Sequence, residues 1–152
     1  MEKSLFEQLK AREGEFFKES KSKGGQWLNY KLLLVEPGEV SISVVVRPEM
    51  TNPLGNIHGG MIALICDEIC GLTFYSAGRE TFYTTVNLNV DFLLPAPEGS
   101  EIIAKGKVYR NGNRIAHVGC ELFNAEGQLM ARAASNLLNT GHAIFNLHNI
   151  NS

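Results

Sequence analysis

The chain has 152 residues, of which 44% are hydrophobic and 20% charged, and its formal net charge is −2. That length fits one domain and is short for two independent ones. The near-neutral balance leaves no polyanion-binding surface and no disordered acidic tail, so nucleic acid is not an expected partner.

The first stretch, MEKSLFEQLKAREGEFFKESKSKG, mixes charged and apolar residues and lacks the apolar core and cleavage site of a secretory signal, which points to the cytoplasm. Leu5, Phe6, Leu9, Phe16 and Phe17 keep a loose helical spacing interrupted by Gly14, predicting one surface helix or two short ones over residues 3–21. LNYKLLLVE and EVSISVVVR follow, joined by Pro37-Gly38. Val40, Ile42, Val44 and Val46 alternate with other residues, so the pair reads as an antiparallel hairpin. RPEMTNPLGN is a loop by its turn chemistry.

From His58 to Ala77 an apolar run of roughly 20 residues is too long for one strand and spans about 30 Å as a helix. It is apolar nearly all round, so protein should enclose it. Paired glycines near its start and two adjacent acids, Asp67 and Glu68, at mid-length argue against a membrane span. Four strand candidates come next: TTVNLNVDFLL, EIIAKGKVYR, RIAHVGCELF and QLMARAASNLL. In the first, Val86, Leu88, Val90 and Phe92 share one face and Thr85, Asn87, Asn89 and Asp91 the other. Turns at Arg110-Asn111-Gly112-Asn113 and Asn124-Ala125-Glu126-Gly127 make the rest an antiparallel meander. The tail after Thr140 carries no clear structural signal. Cys66, Cys70 and Cys120 fit reduced, buried thiols, and no second Cys or His pair follows at zinc spacing, so no metal is expected.

A helix buried on every side needs a sheet that curls around it. The order of elements resembles the α+β hotdog fold, a curved antiparallel sheet wrapped around a long central helix.

Within that helix His58 and Asp67 lie nine residues apart, roughly 13 Å along the axis and about 180° around it, so they cannot share a site in one chain. If both serve one reaction, a second copy supplies one of them, and a two-fold dimer creates two equivalent interface sites. The first helical N–H groups point outward at the positive end of the dipole, and Gly59 and Gly60 let a substrate approach: a candidate oxyanion hole. Asn52 fixes the preceding loop or orients a water. Asp67 acts as general base or nucleophile, or else marks where the helix meets solvent or a lysine. Glu68, about 100° away, is a structural or surface partner. His58 reads as a loop-stabilising residue ahead of a proton carrier. Thr85 holds an attacking water or is only a β-branched strand residue. Arg110 and Arg114 grip phosphates or flank a solvated turn.

Asn52-Pro-Leu-Gly-Asn-Ile-His58-Gly59-Gly60, followed by Asp67, resembles the hotdog-fold acyl-CoA thioesterases of the phenylacetic acid degradation type. VNLNVDFLLPAP is similar to their next strand and loop, and the likeness runs from about residue 48 to 138. The resemblance implies hydrolysis of an acyl-CoA thioester, with CoA part of the substrate and neither cofactor nor metal required. It implies Asp67 as the catalytic carboxylate, Gly59 as the amide that polarises the thioester carbonyl, and Asn52 and His58 as supports from the opposite subunit. Thr85 takes the water-orienting position. Gly60, Phe92 and the stretch Arg110, Asn111, Gly112, Asn113, Arg114 are implied as substrate and CoA contacts. Homodimers, or dimers of dimers, are the implied assembly. Residues 1–25 form an N-terminal helical segment, 26–140 the hotdog thioesterase domain and 141–152 a C-terminal tail. Two rival functions are a non-catalytic acyl-CoA-binding module and a hotdog hydratase or dehydratase.

Overall fold

The computed structural model describes residues 3–144. Ser4 opens the first helix, α1 (Leu5–Lys10), through a capping box in which Glu7 N–H donates to the serine hydroxyl and Ser4 N–H to the Glu7 carboxylate. A second helix, α2 (Lys23–Leu28), is capped by the Ser22 hydroxyl and stopped by Asn29 in the left-handed region, φ 53°. Between them the chain turns over residues 11–14, and Phe16 then bridges to Lys31. The helix expected over residues 3–21 is thereby corrected. Gly14 N–H donates to Leu32 O at 2.8 Å and Leu32 N–H to Glu15 O at 2.9 Å, and this main-chain pairing overrides the loose helical spacing. LNYKLLLVE correspondingly enters the sheet only at Lys31.

Strands β1 (Lys31–Glu36) and β2 (Glu39–Val45) form the expected hairpin. A short 3-10 turn at Pro48–Met50 leads into the loop before the central helix, α3 (Gly59–Ser76). Four strands follow: β3 (Thr81–Phe92), β4 (Glu101–Asn111), β5 (Ile115–Phe123) and β6 (Leu129–Ala143). They complete one antiparallel sheet in the order β1-β2-β4-β5-β6-β3. β6 runs past the expected end at Leu138 because its pairing with β3 continues to Thr81 opposite Ala143. Of the expected tail, residues 145–152 lie outside the described residues.

The helix α3 touches every strand from β2 to β6, so the sheet wraps around it as the hotdog architecture requires. Ile62, Ile65, Ile69 and Phe74 are buried, each contributing about 1.5–3 kcal/mol relative to exposure. On β4 a Cβ added to Gly106 would collide with the Thr73 hydroxyl, so glycine allows helix and sheet to approach this closely. Among the described residues α3 is the one helix long and apolar enough to cross a membrane, and half of it is buried inside the protein. All three cysteines are free and buried. Among the described residues β3 pairs only with β6, which leaves its other edge open, and Val86 and Phe92 along it are 53% and 57% exposed.

Candidate active site

The loop before α3 is held by its own asparagine. Asn52 Oδ1 accepts from Leu54 N–H at 3.0 Å and Asn56 N–H at 3.2 Å, while bridges join Thr51 to Ile57 and Asn56 to Pro97. Of the two roles open to Asn52, the structure displays loop fixation. His58 is the N-cap of α3, and its Nδ1 accepts from Gly60 N–H at 2.9 Å. The proton of the neutral ring therefore sits on Nε2. Gly60 N–H is thus engaged, whereas Gly59 N–H has no acceptor among the described residues and points out of the positive end of the helix. The Phe92 ring lies beside it, 3.5 Å from where a Gly59 Cβ would stand.

Two turns along α3, half-buried Asp67 accepts a 2.8 Å hydrogen bond at Oδ1 from the Thr85 hydroxyl. Its other oxygen has no partner among the described residues, and no cation neutralises it. Strict alternation along β3 would have turned Thr85 away from the helix, on the face of Asn87, Asn89 and Asp91. A β-bulge at Val86 corrects that expectation: Thr85 pairs with Leu137 but Asn87 with Asn136, so one extra residue on β3 reverses the parity. Thr85 consequently shares the inner face with Leu88 and Val90, which pack on the core.

Glu68 points elsewhere. Its Oε1 accepts from the Ser20 and Tyr30 hydroxyls, both at 3.1 Å, and a Cβ on Gly25 would collide with its carboxylate. Burial pushes the Glu68 carboxyl above its ordinary range, opposed by the hydroxyl hydrogen bonds; burial pushes the Tyr30 phenol up as well. Glu68 therefore ties the N-terminal segment to α3.

The turn between β4 and β5 is clamped from below. Arg79 donates to Asn111 Oδ1 at 2.7 Å, to Asn111 O at 2.8 Å and to Asn113 Oδ1 at 3.0 Å, and the Tyr83 hydroxyl sits 2.9 Å from Gly112 O and 3.0 Å from Asn113 O. Arg79 and Tyr83 escaped the sequence reading because their partners are set by strand register; no local pattern marks them. Arg110 and Arg114 are exposed, with no acidic partner among the described residues. Arg114 O accepts from Asn139 N–H, and Asn139 is opposite Tyr83. The turn therefore stands about 7 Å along the strands and about 10 Å across them from Thr85. It belongs to the Asp67 end of the domain, while Asn52, His58, Gly59, Gly60 and Phe92 form the other end.

A thioesterase superfamily profile matches residues 54–131, half of the chain, a span that runs from His58 and Gly59 through Asp67, Thr85 and Phe92 to Arg114 and leaves out Asn52. Human acyl-coenzyme A thioesterase 13 is 30% identical over 102 residues, 66% of this chain and 73% of that protein. A Streptococcus mutans UA159 protein solved with acetyl CoA has a TM-score of 0.74 at 24% identity, covering 84% of this chain and 98% of that one. The E. coli PaaI protein from the phenylacetic acid degradation operon has a TM-score of 0.75 at 18% identity, over 81% and 88% of the two chains. These solved structures share the fold, and on the match across half its length this chain belongs to the thioesterase superfamily.

Proposed function

We propose that the chain hydrolyses acyl-CoA thioesters at sites each shared by two copies. One observation carries the reading: the free Gly59 N–H and the Asp67–Thr85 pair are eight residues apart on α3, about 12 Å along the axis. They are complementary halves that one chain cannot bring together. A two-fold axis near Ala63 exchanges Gly59 with Asp67. On β3 the corresponding residues are Phe92, beside Gly59, and Thr85, bonded to Asp67, and their midpoint falls between Leu88 and Asn89. Both elements thus call for the same axis. It would pair the open β3 edges of two copies antiparallel, satisfying backbone groups otherwise left to solvent.

In the shared site the thioester carbonyl oxygen points at Gly59 N–H of one copy. Asp67 of the other takes a proton from water on its unpartnered oxygen, while Thr85 steadies Oδ1. Water attacks the carbonyl carbon, and the amide holds the oxyanion as it forms. The carbon–sulfur bond then breaks, and the proton on Asp67 passes to the departing sulfur, giving free acid and CoA. Arg110 and Arg114, exposed at the Asp67 end, supply donors for the CoA phosphates. The chemistry calls only on water and the chain's own groups.

The test is release of free thiol from acyl-CoA by Asp67→Asn. The account expects a loss of about 10²–10⁴ in kcat with unchanged assembly. Turnover near the wild-type rate would remove Asp67 from the mechanism. Acyl-CoA held unchanged by the wild-type protein would mark a binding module, and conversion of an enoyl-CoA to its hydrated product a hydratase.

A further inference from the structure

The helix that carries Asp67 leads straight into a cation. Gly78, at φ 91°, stops α3 in the left-handed region that glycine adopts freely, and Arg79 follows it. Half-buried Arg79 commits all three guanidinium nitrogens to the turn between β4 and β5: Nε to the Asn111 side chain, Nη2 to the Asn111 carbonyl and Nη1 to the Asn113 side chain. Every acceptor is a neutral amide oxygen, and no carboxylate pairs with Arg79 among the described residues. Its charge therefore stays uncompensated. On the turn itself, Arg110 Nε lies 3.6 Å from where a Gly112 Cβ would stand, so the Arg110 side chain folds back against the turn. Residues 109–115 carry Arg110 and Arg114 and no acid. A turn held by one bare cation and carrying two more favours a polyanion.

We propose that Arg79 is a positioning residue for substrate binding: its fork fixes the turn in the shape that presents Arg110 and Arg114 to the CoA phosphates. The inference rests on the reading that those two arginines meet the phosphates of an acyl-CoA. Without the fork, Asn111 and Asn113 lose their anchors, and an exposed glycine-containing turn has to be ordered each time CoA binds. That cost falls on affinity. The chemical step is spared, because none of these hydrogen bonds reaches Asp67 or Thr85. Tyr83 is a second anchor, its hydroxyl 2.9 Å from Gly112 O and 3.0 Å from Asn113 O, while its ring packs 4.5 Å from that of Phe74 between centroids. A lysine at position 79 would keep the charge but not the planar fork that reaches several acceptors at once.

The experiment compares wild type, Arg79→Gln, Arg79→Lys and Tyr83→Phe on phenylacetyl-CoA and on S-phenylacetyl-N-acetylcysteamine, which has the same thioester and no phosphate. Free thiol gives kcat and KM, calorimetry gives the affinity for CoA itself, and melting is checked for each variant. Arg79→Gln raises KM for the CoA thioester and weakens CoA binding by about tenfold, with kcat within about twofold of wild type. On the phosphate-free thioester its kcat/KM matches wild type, a split that general loosening of the fold does not produce. Arg79→Lys behaves like Arg79→Gln. Tyr83→Phe keeps the buried ring, shows the same split to a smaller degree, and carries the test if the Arg79 variants fail to fold. Wild-type CoA affinity in Arg79→Lys means that charge alone suffices and overturns the positioning role. Equal losses on both thioesters, or unchanged KM and CoA affinity, overturn it as well. If wild type hydrolyses neither thioester, the hydrolytic reading fails by itself, and the CoA titration still decides the role of Arg79.

Discussion

Gly59→Pro deletes one hydrogen-bond donor and changes little else. Gly59 is the first residue of α3, where proline sacrifices no helical hydrogen bond. His58 before it has ψ 140°, already in the extended region that a following proline demands. The nearest group to the new Cβ is the Phe92 ring at 3.5 Å, an ordinary contact. Stability should hold or rise by about 0.4–1 kcal/mol through the stiffer unfolded chain. The catalytic effect is large because no other donor in the first turn is free. Gly60 N–H is bound to His58 Nδ1, and the Met61 and Ile62 N–H groups both reach His58 O. Removing a lone oxyanion donor costs about 2.7–4 kcal/mol, or a factor of about 10²–10³ in kcat. Thiol release from phenylacetyl-CoA, with a melting curve beside it, measures both. A variant that melts like wild type and keeps the wild-type kcat refutes the assignment of Gly59.

His58→Ala removes the N-cap and should lower stability by about 0.5–2 kcal/mol, whereas His58→Asn restores a side-chain acceptor and most of both stability and kcat. An Asn variant as inactive as the Ala variant would instead mean that the imidazole itself takes part. Glu68 supplies a pH test. Its folded-state pKa is raised above the ordinary 4.5 by burial, so its contribution to stability is full below that value and is lost as pH rises through the folded pKa. Glu68→Gln carries no such titration, so its melting temperature relative to wild type should climb from about pH 4 to about pH 8. A difference that stays constant over that range contradicts a buried, proton-retaining Glu68.

Much of the fold was legible where a local rule and the tertiary environment agree. The all-round apolar run from His58 marked α3, and Pro37-Gly38 and the Asn-Gly turn marked hairpins through backbone chemistry alone. The N-terminal segment was misread because Phe16 and Phe17 fit a helical spacing, while the decision was made by Leu32, sixteen residues away. Ser22 and Asn29, a cap and a left-handed stop around α2, were the signals that could have found the second helix. At the site, the separation of Gly59 from Asp67 followed from helix geometry. The contact between Thr85 and Asp67 did not, because a bulge at Val86 leaves no mark in an alternating sequence and reverses which face each residue takes. Arg79 was invisible for a related reason: it reaches a turn more than thirty residues on, and only strand register puts them together.

Mixing two defective chains tests the shared site most directly. Asp67→Ala retains an intact Gly59, and Gly59→Pro retains an intact Asp67, so each homodimer is inactive. In the mixed dimer one site combines both lesions and the other combines neither. Co-refolded in equal amounts, the two variants should recover about one quarter of wild-type thiol release, since about half of the dimers are mixed and each has one working site. No recovery above the separate variants, in a sample shown to contain mixed dimers, would contradict a site built from two chains.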